Sequence, residues 1–315
     1  MSRYVVGFDT SNYTTSVALF DGTDGTNVGK LLEVPQGGLG LRQSDALFQH
    51  VKHLPELMEQ LCGKGDLHFI EAVGVSTRPR AVEGSYMPCF LAGMSQAKCL
   101  GAALGVPVYS CSHQQGHLAA AAWSAGCMEW LNAPLLAWHL SGGTTELLYV
   151  APEDNQLTAR IIGGTQDISA GQLIDRTGVA LGLAFPAGKA LDALCGQGIG
   201  KDKPYRVKLQ GLSFSLSGME NKVNAMVHAG REPADIARFA VDTVVDAVVR
   251  ATLLAQQAYP GLPVLCSGGV ASNSRLRQAL TDRCGARFAQ PKYSTDNAMG
   301  VAILTHRALE RGELG

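Results

Sequence analysis

Charge is scarce in this sequence. Asp, Glu, Lys and Arg make up only 17% of its 315 residues, and the two signs nearly cancel, leaving a net −1. No global basic field exists to collect nucleic acid, so such a partner needs a local patch or a helper protein. The 8 cysteines are scattered and form no CxxC pair. That argues against a disulfide framework or a cysteine-based zinc ribbon and for a reducing cytosol. No apolar run reaches the ~20 residues of a membrane-spanning helix. The first residues, Met1 to Gly7, read as a strand start without the apolar core of a signal peptide. Together these absences place the chain in the cytoplasm, with no membrane partner.

Core-building material is plentiful. Hydrophobic residues reach 46% and glycine numbers 37, enough for a large core and for many tight turns or close backbone approaches. The most informative stretch is His113-Gln114-Gln115-Gly116-His117, within the small, apolar segment Cys111 to Ala122. On a helix its two imidazoles share one face a turn apart, where they can bind one transition-metal ion or stand as two ordinary histidines. A zinc peptidase with this spacing needs a glutamate as general base. Gln114 holds that position and cannot ionise, so peptide cleavage is not expected. Nor does any Ser-His-Asp arrangement suggest a covalent nucleophile, and no catalytic residue is singled out.

Strands are expected at Tyr4 to Asp9 and Ser16 to Phe20, around the polar turn Asp9-Thr10-Ser11-Asn12-Tyr13-Thr14-Thr15. The turn is either a local hydrogen-bonding device or an anion-binding loop, with Asp9, Ser11 and Asn12 as candidate contacts. Gly37 to Gly40 reads as a mobile loop. A helix follows from Ser44 to Cys62, whose His50 and His53 are expected to be solvated or to line a pocket. Phe69 to Val75, Phe90 to Leu104 and Val106 to Tyr109 read strand, helix, strand, the grammar of an α/β sheet with ligand loops at strand ends.

A second hairpin runs from Pro134 to Val150 around Ser141-Gly142-Gly143-Thr144-Thr145. Ser11-x-x-Thr14-Thr15 and Ser141-x-x-Thr144-Thr145 share a polar core, as a duplicated domain would. Further helices are expected at Asp167 to Ala180, Lys189 to Cys195, from Met219, and at Pro233 to Ala258. Lys201 to Lys208 is the most basic stretch, a solvated loop or a phosphate-backbone contact. The buried strand Pro263 to Cys266 leads into Ser267-Gly268-Gly269-Val270-Ala271-Ser272-Asn273 and a helix. There Gly268 and Gly269 allow a ligand close to the backbone, and the helix N-terminus suits an anion. Asp296 opens the last helix, Ala298 to Arg311. It fits the helix dipole and is also the best oxygen donor to join the two histidines.

Taken in order, His113-x-x-x-His117, Leu140-Ser141-Gly142-Gly143-Thr144-Thr145-Glu146-Leu147, Ala170-Gly171-x-x-x-Asp175-x-Thr177, Ser213-Phe214-Ser215-x-Ser217-Gly218, Ser267 to Asn273 and Ser294 to Asn297 resemble the TsaD family. These are the tRNA threonylcarbamoyladenosine synthases, once labelled glycoprotease-like. The resemblance covers nearly the whole chain. It implies an α/β actin-like ATPase (ASKHA) fold of two similar halves with a ligand cleft between them. The halves would be residues 1–110 and 111–315, with a helical insertion around 166–260 and the last helix free to return to the first half.

The resemblance also implies one divalent metal, iron or zinc, on His113, His117 and Asp296. An adenine nucleotide or acyl-adenylate would sit on His139, Leu140, Ser141, Gly142, Gly143, Asp175, Gly188, Asp192 and Asn273, with Thr144 beside them. The reaction would move a threonylcarbamoyl or carbamoyl group from its adenylate to the N6 amine of an anticodon-loop adenosine in tRNA. A TsaB-like scaffold and a TsaE-like ATPase would be partners.

Departures mark a divergent paralogue. Where the family's first hairpin carries an acidic pair, this chain has Tyr13 and Thr14. Thr144 replaces the family's histidine, Pro186-Ala187-Gly188 its Pro-Gly-Gly, and Arg78-Pro79-Arg80-Ala81 its Gly-Pro-Gly-Leu, with a short insertion before Gly93. The alternatives are a non-catalytic nucleotide-binding scaffold, a carbamoyltransferase acting on a small molecule, and a small-molecule kinase of the same fold. For the last, Asp9 could act as base, though two histidines suit Mg²⁺ poorly.

Overall fold

Alternating Val, Phe and Thr make Tyr4–Ser11 strand β1, and the chain doubles back as β2 (Thr14–Phe20), Ser11 opposite Thr14. The computed structural model describes residues 3–11, 13–34, 41–62, 69–153, 156–200 and 203–314. Asn12, the Gly37–Gly40 loop and Lys201-Asp202 lie outside them. The chain divides into two compact units: Met1–Trp123 with Thr295–Gly315, and Ser124–Ser294. The boundary therefore falls after Trp123 and not after residue 110, because the histidine helix and the C-terminal helix both belong to the first unit.

The first unit continues with β3 (Gly25–Leu31), α1 (Gln43–Cys62), β4 (Ile70–Arg78), α2 (Phe90–Leu104), β5 (Val108–Ser112) and α3 (His113–Ser124), and closes with α9 (Met299–Glu310). Its sheet has the order β3-β2-β1-β4-β5, the first three antiparallel and β1, β4, β5 parallel. One face buries Val6, Phe8, Val17 and Val75 against Leu54, Leu57 and Leu61 of α1 and Ala92 and Ala97 of α2. The other receives α9 through Gly7 and Gly74, which are paired across β1 and β4. A Cβ on Gly7 would stand 2.7 Å from the backbone of Ala298 and Ala302, and one on Gly74 would strike Thr305.

The second unit holds β6 (Leu135–Leu140), β7 (Thr145–Glu153), β8 (Gln156–Thr165), α4 (Ala170–Ala180), α5 (Gly188–Cys195), β9 (Leu209–Gln210), β10 (Ser213–Phe214), α6 (Ser217–His228), α7 (Pro233–Ala258), β11 (Val264–Ser267), α8 (Ser274–Cys284) and β12 (Arg287–Phe288). Its sheet order is β12-β11-β6-β7-β8-β10-β9. Five of these strands, β8-β7-β6-β11-β12, repeat the order and directions of the first sheet, so the hairpin repeat belongs to a whole repeated sheet. The core is built on Trp138, whose Nε1 donates to Thr252 Oγ1 at 2.9 Å.

In the first unit α3 and α9 meet through Gly116 and Gly300, where a Cβ on Gly300 would overlap the Gly116 carbonyl. Overpacking a close contact costs about 1–3 kcal/mol or more. Gly300→Ala is therefore expected to lower the free energy of unfolding by an amount in that range, read as a lower urea midpoint followed by circular dichroism. A Gly261→Ala control changes a glycine with open space around it but a left-handed backbone, and is expected to cost about 1 kcal/mol.

Candidate functional site

Helix α3 starts where it does because Ser112 and Gln115 cap it reciprocally. Ser112 N donates to Gln115 Oε1 at 2.6 Å and Gln115 N to Ser112 Oγ at 3.3 Å. His113 is thereby the first helical residue, and His117 lies one turn on. Their Nε2 atoms are 2.9 Å apart, with ring centroids at 4.3 Å. Asp296 Oδ1 completes the group, 3.5 Å from His113 Nε2 and 3.3 Å from His117 Nε2. Two ligand atoms about 2.1 Å from one tetrahedral ion stand about 3.4 Å from each other. The two distances to Asp296 match that spacing, the imidazole nitrogens stand closer at 2.9 Å, and the donor chemistry suits a borderline transition metal.

Asp9 lies on the far side of His113. Its Oδ1 is 2.9 Å from His113 Nδ1, and the carboxylate is fully buried. A proton held on Nδ1 leaves the Nε2 lone pair turned to His117 and Asp296, the arrangement that orients metal-binding histidines. Asp9 is also one of the expected contacts of the anion-binding loop. In the structure its partner is this imidazole, a link across 104 positions.

Charge in the cluster is strongly coupled. Burial disfavours the His113 imidazolium, but the adjacent Asp9 and Asp296 carboxylates outweigh it and lift His113 to about 10. Burial would raise Asp296, yet hydrogen bonds and charge from the two histidines hold it far below the usual carboxylate range. Asp9 is lowered in the same way, against its burial, by His113.

Neither His50 nor His53 is solvated, but His53 does line a cavity, with Lys30, Glu33 and Phe48. Both are buried, and their Nδ1 atoms lie 2.8 and 3.2 Å from Thr15 Oγ1. One hydroxyl proton cannot serve both rings, so at least one Nδ1 carries its own proton. Burial drives His50 down to about 4 and keeps it neutral. Ser11, also buried, makes no side-chain hydrogen bond among the described residues.

The other expected binding residues are in the second unit. Ser141 N donates to Thr144 O at 2.8 Å and Thr144 N to Ser141 Oγ at 3.0 Å, closing the hairpin. Ser169 anchors this turn to α4 by donating to Gly142 O at 2.6 Å. A Cβ on Gly142, Gly143 or Gly269 would meet open space, so a ligand can reach backbone there. Gly268 is needed for fit: its φ is +95°, and a side chain would strike Leu140 O. Leu140 itself is fully buried and offers a ligand only backbone.

Asn273 caps α8, accepting from Leu276 N at 3.0 Å, and donates to Asp192 Oδ1 at 2.8 Å. Asp192 also accepts from Ser274 N and Oγ. Asp175 accepts from Ala187 N at 2.8 Å, just before Gly188 and α5. The hairpin, the Gly268 loop and α4 thus adjoin one another, and Asp175 and Asp192 act through the helix starts they hold. Asp167, which sequence reasoning passed over, accepts from Ser215 Oγ, Leu216 N and Ser217 N and so fixes the start of α6. Only the serine spacing of the 213–218 motif hints at it.

Against known proteins, the family model for TsaD, tRNA N6-adenosine threonylcarbamoyltransferase, matches residues 34–303. The chain belongs to the TsaD family. It is 30% identical to the tRNA N6-adenosine threonylcarbamoyltransferase of Bacillus licheniformis, over 99% of this chain and 94% of that one. The Streptococcus pneumoniae enzyme of the same name is also 30% identical, over 88% and 83%. Among solved structures, full-length HypF in its phosphate- and nucleotide-bound form superposes with a TM-score of 0.60 at 14% identity, covering 98% of this chain and 56% of that one. Component A of Acidaminococcus fermentans (R)-2-hydroxyglutaryl-CoA dehydratase does so at 0.53 and 16%, over 98% and 100%. These likenesses give this TsaD-family chain the actin-like ATPase fold.

Two outcomes follow for the histidine centre. Asp9→Asn is expected to weaken metal retention about 10- to 100-fold, the usual worth of such a support, measured by competition with a chromogenic chelator. In the metal-free protein, His113 is raised above its unfolded value, so its stabilisation is complete below about pH 6.5 and is lost as pH rises through about 10. Asp9 and Asp296 are lowered, so theirs is present above about pH 4 and is lost on acidification. Thermal midpoints should fall at both ends, and metal affinity should rise with pH up to about 10, because binding must displace the proton that His113 holds until then.

Proposed function

We propose that this chain transfers a threonylcarbamoyl or carbamoyl group from its adenylate to the N6 amine of an anticodon-loop adenosine in tRNA, in a metal-dependent reaction. The observation that carries the reading is the convergence of His113 Nε2, His117 Nε2 and Asp296 Oδ1, with all ligand atoms within 4.8 Å of one another. These three residues would hold one iron or zinc ion, and Asp9 would keep His113 in its ligating tautomer. When bound, the ion supplies positive charge for the phosphate that leaves.

The chain's other residues position. The open backbone at Gly142, Gly143 and Gly269 would seat the adenylate, with Asn273 and the α8 N-terminus beside it. The N6 nitrogen attacks the carbamoyl carbon, the carbon–oxygen bond to phosphate breaks, AMP departs, and one amine proton is released.

A basic surface in the second unit supports an RNA partner. Lys208, Lys222 and Tyr205 line a cavity of about 250 Å³, with Lys222 Nζ 4.4 Å above the Tyr205 ring. Such a surface suits a phosphate backbone and a stacked base. A TsaB-like scaffold and a TsaE-like ATPase are the proposed partners and the cytoplasm the proposed location; no helix among the described residues is long and apolar enough to cross a membrane.

The replacement of an acidic pair by exposed Tyr13 and buried Thr14 favours the second reading, a nucleotide-binding scaffold without catalysis. Nucleoside mass spectrometry of tRNA from a deletion strain separates the two. Loss of threonylcarbamoyladenosine, restored by the wild-type gene and not by His113→Ala or Asp296→Ala, is the expected result. An unchanged nucleoside profile removes the transferase reading. The same two variants should purify with little iron or zinc by elemental analysis.

A further inference from the structure

We propose that Arg78 is an oxyanion receptor beside the histidine centre, taking a carboxylate or phosphate group of the ligand. Arg78 ends β4, and its register partner on β5 is Ser112, the residue before His113. The turn that follows is tied to α3, because Gln114 N donates to Pro79 O at 3.0 Å. The guanidinium therefore springs from backbone adjoining the first turn of the helix that carries both imidazoles.

One of its donors is buried and unspent. Arg78 Nε is shut off from solvent without a hydrogen-bond partner, and the side chain makes no ion pair among the described residues. Buried donors are ordinarily satisfied, and a guanidinium stays charged at any physiological pH. Neither nearby carboxylate pairs with it: Asp9 meets His113 through Oδ1 and keeps Oδ2 buried without a hydrogen bond, and Asp296 faces both histidines. What answers a fixed fork of charged N–H groups is a planar or tetrahedral oxyanion bound by two hydrogen bonds. The family's Gly-Pro-Gly-Leu turn has no side chain here, so the receptor belongs to this chain.

The proposal rests on the transferase reading only for what bears the oxyanion, the acyl carboxylate or the adenylate phosphate. Isothermal titration of the zinc-loaded full chain with N-carbamoyl-threonine, which has a carboxylate and no phosphate, and with AMP, which has the converse, tests it. Arg78→Gly should weaken one of the two probes about 10- to 100-fold, as loss of a charge-assisted hydrogen bond does. Arg78→Lys should restore part of that loss, with zinc content equal in all three proteins. The probe that weakens names the source of the oxyanion. Unchanged binding of both probes to Arg78→Gly overturns the proposal and leaves the transferase reading standing. Wild-type protein that binds neither probe also overturns it, and wild-type protein that retains no metal removes the transferase reading as well.

Discussion

The histidine centre depends on how closely backbone can approach backbone around α9. Gly7 on β1, Gly74 on β4 and Gly116 on α3 each leave out the side chain that would hold the last helix away, and Gly300 does so from α9 itself. That contact carries little directional energy. Its effect is positional: it brings residues near the end of the chain against a sheet made near its start. Asp296, three residues before α9, reaches His113 and His117 because the helix behind it is seated this tightly. The approach to α9 is itself capped, with Asn297 accepting from Met299 N at 3.1 Å and Asn27 from Ala298 N at 2.9 Å.

Within that frame, electrostatics select one protonation pattern. A buried carboxylate such as Asp9 is costly unless a cation or strong donor meets it. His113 supplies that donor, and in the absence of an ion it is driven to carry a proton. In the proposed metal-bound state the ion would take over the role of that proton, so that the cluster of ionisable groups would stay balanced.

Much of this was legible in the chain. The spacing of His113 and His117 gave the face of a helix, Pro233 to Ala258 gave the whole of α7, and the Ser-x-x-Thr-Thr repeat pointed to duplicated sheets. The position of Asp296 at the opening of the last helix marks it as an oxygen donor, and it does stand with His113 and His117. What could not be read were partnerships between distant segments: Asp9 with His113, Thr15 with His50 and His53, Asp167 with Ser215. Each joins residues whose local sequence gives an equally good solvated or capping role, and only the strand register decides which they adopt. The short strands β9 and β12 and the third strand of each meander, β3 and β8, are not legible in the sequence. Their residues are polar or alternate weakly, and pairing with a neighbour makes them strands.

The repeated hairpin looks different once its hydrogen bonds are known. Thr15 and Thr145 occupy matching places after the two turns, and both are buried. Thr15 spends its hydroxyl on the histidines of α1, whereas Thr145 accepts from Ala170 N, at 2.8 Å, at the start of α4. In both units the second threonine of the pattern fastens a helix to its sheet. The part of the motif left to face a ligand is the shorter one, Ser141 to Thr144 in the second unit, where two glycines open the backbone. The polar repeat therefore encodes two functions in adjacent residues, a tip that can bind and a hydroxyl behind it that holds the neighbouring helix in place.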